Sequence, residues 1–232
     1  MKKLALIAAG AALAIVAIYA IVYRLTAPPY EDVYFDELPL AADPTQVNLP
    51  DAPPIEVTFE RGAAVLYPQA AYRLAGKVCG LNHLKHSLYE DLIPYDLCTM
   101  WGRLATEDMR GTVTFKHDSL RFSWYHIKPG APVDQPYVGT HFSNSHLLCA
   151  DENLRRALGR LGRNDEFELT GYLINAHITL DGQKREWNTS MIRTDGGPGA
   201  CETIYVTSLK HNGKLYGAVT EMPTEERTTR TP

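Results

Sequence analysis

Leu154, Leu158 and Leu161 fall at i, i+4 and i+7 with Ala157 beside them, so one face of this stretch is apolar and the spacing predicts a helix over 152–161. Asp151 stands where a carboxylate can accept from a free N–H of the first turn, and Glu152 adds charge that suits the positive helix end. Gly162 follows the last leucine and is the expected stop. The pattern then changes period. Phe167, Leu169, Gly171 and Leu173 alternate with Glu168, Thr170, Tyr172 and Ile174, which predicts a strand with one firmly apolar face.

Further strands are predicted at 55–59, 63–67, 72–79, 111–116, 120–128, 167–178, 186–193 and 202–208. In the fifth, Leu120, Phe122, Trp124 and His126 share one face and Arg121, Ser123, Tyr125 and Ile127 the other. His117-Asp118-Ser119 and Asp181-Gly182 read as turns. From residue 72 the order is strand, irregular segment, strand, strand, helix, strand, strand, strand. A helix inserted between the third and fourth strands of a small barrel is the plan of an OB-type fold. The expected class is therefore mainly β with one helix, a small OB-like β-barrel over residues 55–210; the alternative is another α+β sheet with a helix on one face.

Residues 4–23 hold no charge, and at about 1.5 Å per residue they span a hydrocarbon core of roughly 30 Å. Residues 1–25 thus read as a transmembrane anchor that precedes the barrel. With Lys2 and Lys3 in front and acids beyond Arg24, the N-terminus is expected in the cytoplasm and the folded domain across a bacterial inner membrane, in the periplasm. The alternative is a cleaved signal peptide and a secreted protein. Residues 26–54 carry seven prolines and six acids with no Lys or Arg, an acidic Pro-rich spacer whose first half (Tyr30, Val33, Tyr34, Phe35, Leu38) can dock on a partner or on the domain itself. Residues 211–232 read as a flexible tail.

The net charge of −4 understates the acidity of the body, because Lys2, Lys3 and Arg24 flank the anchor; without them 20 basic residues face 27 acidic ones. Phosphate backbones reward Lys and Arg, so nucleic acid is not an expected partner. The expected contacts are the membrane, through the N-terminal helix, and an envelope protein or glycan.

Four cysteines in an exported domain permit two disulfides. Cys79 and Cys98 flank the irregular segment 80–97, a pairing that would leave Cys149 with Cys201. His83-x-x-His86, and His141 with His146, lack a third ligand at motif spacing, so they read as structural or surface histidines and neither metal nor cofactor is expected. A nucleophilic reading pairs Cys201 with His126 or His146 and needs a thiolate with access. Neither G-x-S-x-G nor a phosphate-binding G-x-x-x-x-G-K occurs. Asp195-Gly196-Gly197-Pro198-Gly199 joins two predicted strands and reads as a wide hairpin loop.

Three patterns, Pro94-x-Asp96-Leu97-x-x-x-Trp101-Gly102, Ser143-Asn144-x-His146-Leu147 and Arg193-x-Asp195-x-Gly197-x-Gly199-Ala200-Cys201-Glu202, occur with the step Trp187-Asn188-Thr189-Ser190 between the last two. Together they resemble an uncharacterised family of bacterial exported or membrane-anchored proteins, over about residues 72–207. The chain departs from that pattern at Leu148-Cys149, where the family has Ile-Pro; Cys201 belongs to the shared pattern. The resemblance directs attention to Trp101, Trp124, Ser143, Asn144, His146, Trp187, Ser190, Arg193, Asp195 and Glu202, near the ends of predicted strands. Asn144, His146, Trp187, Arg193 and Asp195 are the binding candidates, and His146, Asp195 and Glu202 the catalytic ones; the same residues could instead form a buried hydrogen-bond network. The expected function is a non-enzymatic, membrane-anchored binding or scaffold domain of the envelope, the alternative an envelope hydrolase using His146 with Asp195 or Glu202.

Overall fold

The computed structural model describes residues 12–18, 21–22, 27–33, 38–85, 87–117, 123–197 and 199–223, and among them the protein is mainly β. In chain order the strands are β1 (Glu31–Asp32), β2 (Thr45–Asn48), β3 (Ile55–Phe59), β4 (Gly62–His83), β5 (Tyr95–Met100), β6 (Val113–His117), β7 (Ser123–Ile127), β8 (Phe142–Cys149), β9 (Glu166–Leu180), β10 (Gln183–Trp187), β11 (Glu202–His211) and β12 (Lys214–Gly217). Helix α1 (Gln135–Thr140) precedes β8, and α2 (Glu152–Leu158) lies between β8 and β9.

The frame is a cycle of pairings. β4 pairs β5, β5 pairs β8, β8 pairs β11, β11 pairs β9, and β9 returns to β4. All are antiparallel except β8–β11. The two long members do double duty: the first part of β4 and the last part of β9 run beyond the cycle and carry β3 and β10. The separately predicted strands 63–67 and 72–79 are one 22-residue strand, β4. Pro68, which should interrupt it, sits at a shift of register between Pro68 and Ala70, where an extra residue spares the ladder the missing N–H. β9 and β11 approach so closely at Gly171 that a Cβ there would fall on the Tyr205 carbonyl.

The principal core fills the space within the cycle with Leu74, Leu97, Leu147, Phe167, Leu169, Leu173, Ile204 and Val206, and α2 adds Leu154, Ala157 and Leu158. Burying each leucine is worth about 1.5–3 kcal/mol. The predicted cap is present, Asp151 Oδ1 accepting from Leu154 N at 2.8 Å. The helix ends at Leu158, with Gly159 as its C-cap, and not at Gly162; the Tyr95 hydroxyl donates to the Arg155 carbonyl of its last turn at 2.8 Å. The Asp181-Gly182 turn also stands as expected, both residues at positive φ (48° and 77°), joining β9 to β10.

Other expectations are corrected. The segment 80–97 is not irregular throughout: β4 reaches His83 and β5 begins at Tyr95. Ser143-Asn144-Ser145-His146 is not a helix entrance but part of β8, which precedes α2. The strand expected at 186–193 ends at Trp187. In β7 the two faces are divided as expected among the described residues, Ser123, Tyr125 and Ile127 being half-buried while Trp124 and His126 are exposed; Leu120 and Phe122, like the turn at Asp118-Ser119, lie outside the described residues. β6 and β7 form a separate two-stranded sheet over a cluster of Cys79, Cys98, Leu104, Met109, Phe115 and Val138. The spacer is laid along the domain. β1 pairs β12, β2 pairs β4, and Trp101 Nε1 donates to Asp43 at 3.2 Å. The tail region supplies β12 and, at Thr220, a donor to Thr170 Oγ1 at 2.9 Å. Of residues 4–23, positions 12–18 and 21–22 are helical, and no described helix is long and apolar enough to cross a membrane.

Candidate thiol–imidazole site

β5, β8 and β11 lie side by side, and their register sets Asp96 opposite His146 and His146 opposite Thr203. Strand alternation then sends Asp96, Asn144, His146 and Thr203 to the outer face, while Leu97, Ser145, Leu147 and Ile204 face the core. His146 Nδ1 meets Asp96 Oδ1 at 2.6 Å, and both are buried, 7% and 0% exposed. Cys201, the residue before β11, lies against the same imidazole. Asn144 Nδ2 donates to Cys201 Sγ at 3.5 Å.

Trp187, at the end of β10, stands edge-on to His146 with ring centres 5.1 Å apart, and its Nε1 donates to Thr203 Oγ1 at 3.1 Å. Tyr89, from the loop between β4 and β5, packs on Trp187 at 5.2 Å. The step from Trp187 to Ser190 is tied to the start of β11. Thr203 N donates to Thr189 Oγ1 at 2.9 Å, and Ser190 N to the Cys201 carbonyl at 3.1 Å.

The electrostatics follow from this packing. Burial alone would pull the His146 imidazole down, but hydrogen bonds to Asp96 and Cys201, reinforced by their charges, hold it up at about 9. It is therefore cationic at neutral pH. A cationic imidazole beside a thiol is the arrangement that favours the reactive thiolate.

One residue further along, Glu202 pairs with Ser145 across the strands and belongs to the opposite face. Ser145 Oγ donates to its Oε2 at 3.4 Å. Burial, helped by the charge of Asp195, pushes this carboxyl up to about 7, against hydrogen bonds to its own backbone, Ser145 and Ser143. Tyr72, also buried, is raised by the same desolvation and by Glu202. A cavity of about 40 Å³ opens between Tyr72, Ser190, Arg193 and Glu202.

The remaining candidates divide accordingly. Arg193 pairs with Asp43 at 3.3 Å, and Asp195 accepts from Ser190 Oγ at 2.7 Å. Trp101 is a core residue and Trp124 an exposed one. Of the two histidines considered for Cys201, His146 is the one beside it, whereas His126 projects from the exposed face of β7. The structure thus joins His146 to Asp96 and Cys201 and separates it from the Glu202 cluster. Asp96 was missed as a participant, although it stands in the Pro94-x-Asp96-Leu97 pattern; each of the three patterns contributes to the cluster.

His141 is stacked on Tyr137 at 3.8 Å and His83 lies edge-on to Tyr95 at 4.9 Å; His86 lies outside the described residues. No group of three His, Cys, Asp or Glu side chains among the described residues could hold a metal. The four cysteines are free thiols. A Cys149–Cys201 bridge is ruled out by register. Cys149 lies opposite Val206 and Ser145 opposite Glu202, so the two cysteines are about 16 Å apart along the strands, far beyond disulfide reach.

Comparison with protein-family models, with characterised proteins and with solved structures finds no match to the chain.

Proposed function

We propose that the chain is a membrane-tethered domain of the bacterial envelope, built on an OB-type barrel, that performs thiol-dependent acyl transfer or hydrolysis. The observation that carries this reading is the meeting of Cys201, His146 and Asp96 on one face of three adjacent strands. The barrel reading rests on the cycle of pairings, its one parallel pair and the helix between the third and fourth members, β8 and β9. The tether rests on the uncharged run 4–23 behind Lys2 and Lys3.

In this reading the Cys201 thiolate attacks an acyl carbon and forms an S–C bond. Asn144 Nδ2, already at the sulfur, is placed to donate to the oxyanion. The His146 imidazolium gives its proton to the leaving group, which departs. Water then attacks the thioester, His146 takes its proton, and the carboxylic acid departs, restoring the Cys201 thiolate beside the imidazolium. Asp96 acts through His146, holding its Nδ1 so that Nε2 is the nitrogen left for transfer. Trp187 positions the ring by its edge contact.

The test is hydrolysis of aryl esters and thioesters by the full chain in detergent. Cys201→Ala is expected to lower turnover about 1000-fold or more, with Cys149→Ser unchanged. Equal rates for the parent and Cys201→Ala would end the enzyme reading.

Near-complete burial of Asp96 and His146 favours a second reading, in which the cluster braces β5, β8 and β11 and the domain binds an envelope protein or glycan. Under that reading Cys201→Ala leaves cross-linking to the partner in intact cells unaltered, while Trp187→Ala abolishes it. The tether is tested by N-terminal mass: retention of residues 1–25 supports an anchor, their loss a secreted protein.

A further inference from the structure

Cys79 and Cys98 belong to neighbouring antiparallel strands, and the register shift between Val78 and Gly80 sets Cys79 in a bulge beside Cys98. Both are buried in the cluster under the β6–β7 sheet. Their side chains hydrogen-bond each other, and both are reduced. Cys79 also forms part of the wall of a cavity of about 490 Å³, lined by Lys77, Arg110 and Arg163 and, against them, Glu107, Asp165 and Glu166. Two thiols in contact, one reachable from a cavity of small-molecule size, form an arrangement suited to thiol–disulfide exchange.

We propose that Cys79 and Cys98 are an oxidisable dithiol that closes to a disulfide at the expense of a low-molecular-weight disulfide entering this cavity. Cys79 attacks one sulfur of the oxidant and the oxidant's S–S bond breaks, the first half leaving as a thiol with the Cys79 proton. Cys98 then attacks the Cys79 sulfur of the mixed disulfide, forming the Cys79–Cys98 bond and expelling the second half. The protein loses two electrons and two protons, and the oxidant becomes two thiols. Access sets the roles, because Cys79 is the thiol that lines the cavity and Cys98 is not. Cys98 is held below the ordinary thiol range by Cys79, while burial pushes Cys79 well up; the charge of Arg163 pulls both down.

The pair is wired to the face described above. Cys98 hydrogen-bonds Ser123, the Ser123 hydroxyl donates to Asn144 Oδ1 at 3.4 Å, and Asn144 Nδ2 donates to Cys201 at 3.5 Å. A disulfide changes the Cys98 sulfur at the head of this chain and loosens the orientation of Asn144. This second consequence rests on the reading of Cys201 as the nucleophile.

The experiment uses the full chain carrying Cys149→Ser, reduced, in detergent, and incubated with bis(2-hydroxyethyl) disulfide. Thiols are counted by maleimide mass tagging after denaturation. Two of the three thiols should vanish together, with the loss of two hydrogens and no adduct, and return on reduction. Adding Cys98→Ala should instead trap half of the oxidant on Cys79. Survival of both thiols under conditions that oxidise the unfolded chain overturns the proposal, as does a stable adduct on the chain that retains both cysteines. In the same samples, alkylation of Cys201 by iodoacetamide should differ about threefold between the reduced and oxidised forms, the effect of breaking a shared hydrogen-bond network. No difference overturns the relay, whereas an inert Cys201 in both forms counts against the catalytic reading and leaves the thiol count legible.

Discussion

Cys201 and Glu202 are neighbours in the chain, as are Ser145 and His146, yet the two pairs of side chains separate to opposite faces of the same strands. On the outer face a buried imidazole has a buried carboxylate at 2.6 Å and is held up at about 9. On the inner face a buried carboxyl has serine hydroxyls and a neighbouring carboxylate for company and rises to about 7. Desolvation opposes the charged form at both places. It is outweighed at His146, where hydrogen-bonded anions compensate, and prevails at Glu202, where neutral hydrogen bonds compensate only in part. What distinguishes the two regions is the partner, not the depth. That is why only the outer face is equipped with a group that is charged at neutral pH beside a thiol.

The largest effect should come from breaking the outer pair. Asp96→Ala leaves a buried imidazolium without its carboxylate and should cost about 3–5 kcal/mol in denaturant unfolding. The linkage signs sharpen the contrast. His146 is raised from 6.5 to about 9, so its stabilisation is complete below pH 6.5 and is lost as pH rises through 9. Glu202 is raised from 4.5 to about 7, so its contribution is likewise present below pH 4.5 and lost as pH rises through 7. Each window amounts to roughly 3 kcal/mol at most, and unfolding measured from pH 4 to 10 should show two successive declines. Glu202→Gln should abolish the lower decline and spare hydrolysis; a loss of turnover comparable to that of Cys201→Ala would merge the two faces into one site. Turnover itself should fall above about pH 9, as His146 loses the proton it gives the leaving group. The smallest effect belongs to Asp151→Ala, which touches neither face and should cost about 1 kcal/mol, the worth of a helix cap.

How much of this was legible along the chain depended on whether an element has a wet side. β9 and its turn into β10 could be read directly, because apolar positions alternate and Asp181-Gly182 supplies two residues that tolerate positive φ. Helix α2 was legible from its leucines and from Asp151, although it stops about a turn short of Gly162. β5 and β8 were not, since both are buried on both faces and their polar residues alternate with nothing exposed. Ser143-Asn144-Ser145-His146 looks like a loop until strands on either side satisfy it. The same blindness hid Asp96, whose role exists only because β5 pairs with β8.

By itself the chain determined the short-range matters: a mainly β body, a helix capped by Asp151, the β9–β10 hairpin, and a set of polar residues worth attention. These depend on periodicity and on contacts within a few residues, which a sequence displays. The tertiary structure alone decided which of those residues meet. Asp96 and His146 lie in β5 and β8 and Cys201 just before β11, each 50 residues or more from the next, and a shift of one position in register would turn the strand residues to the other face.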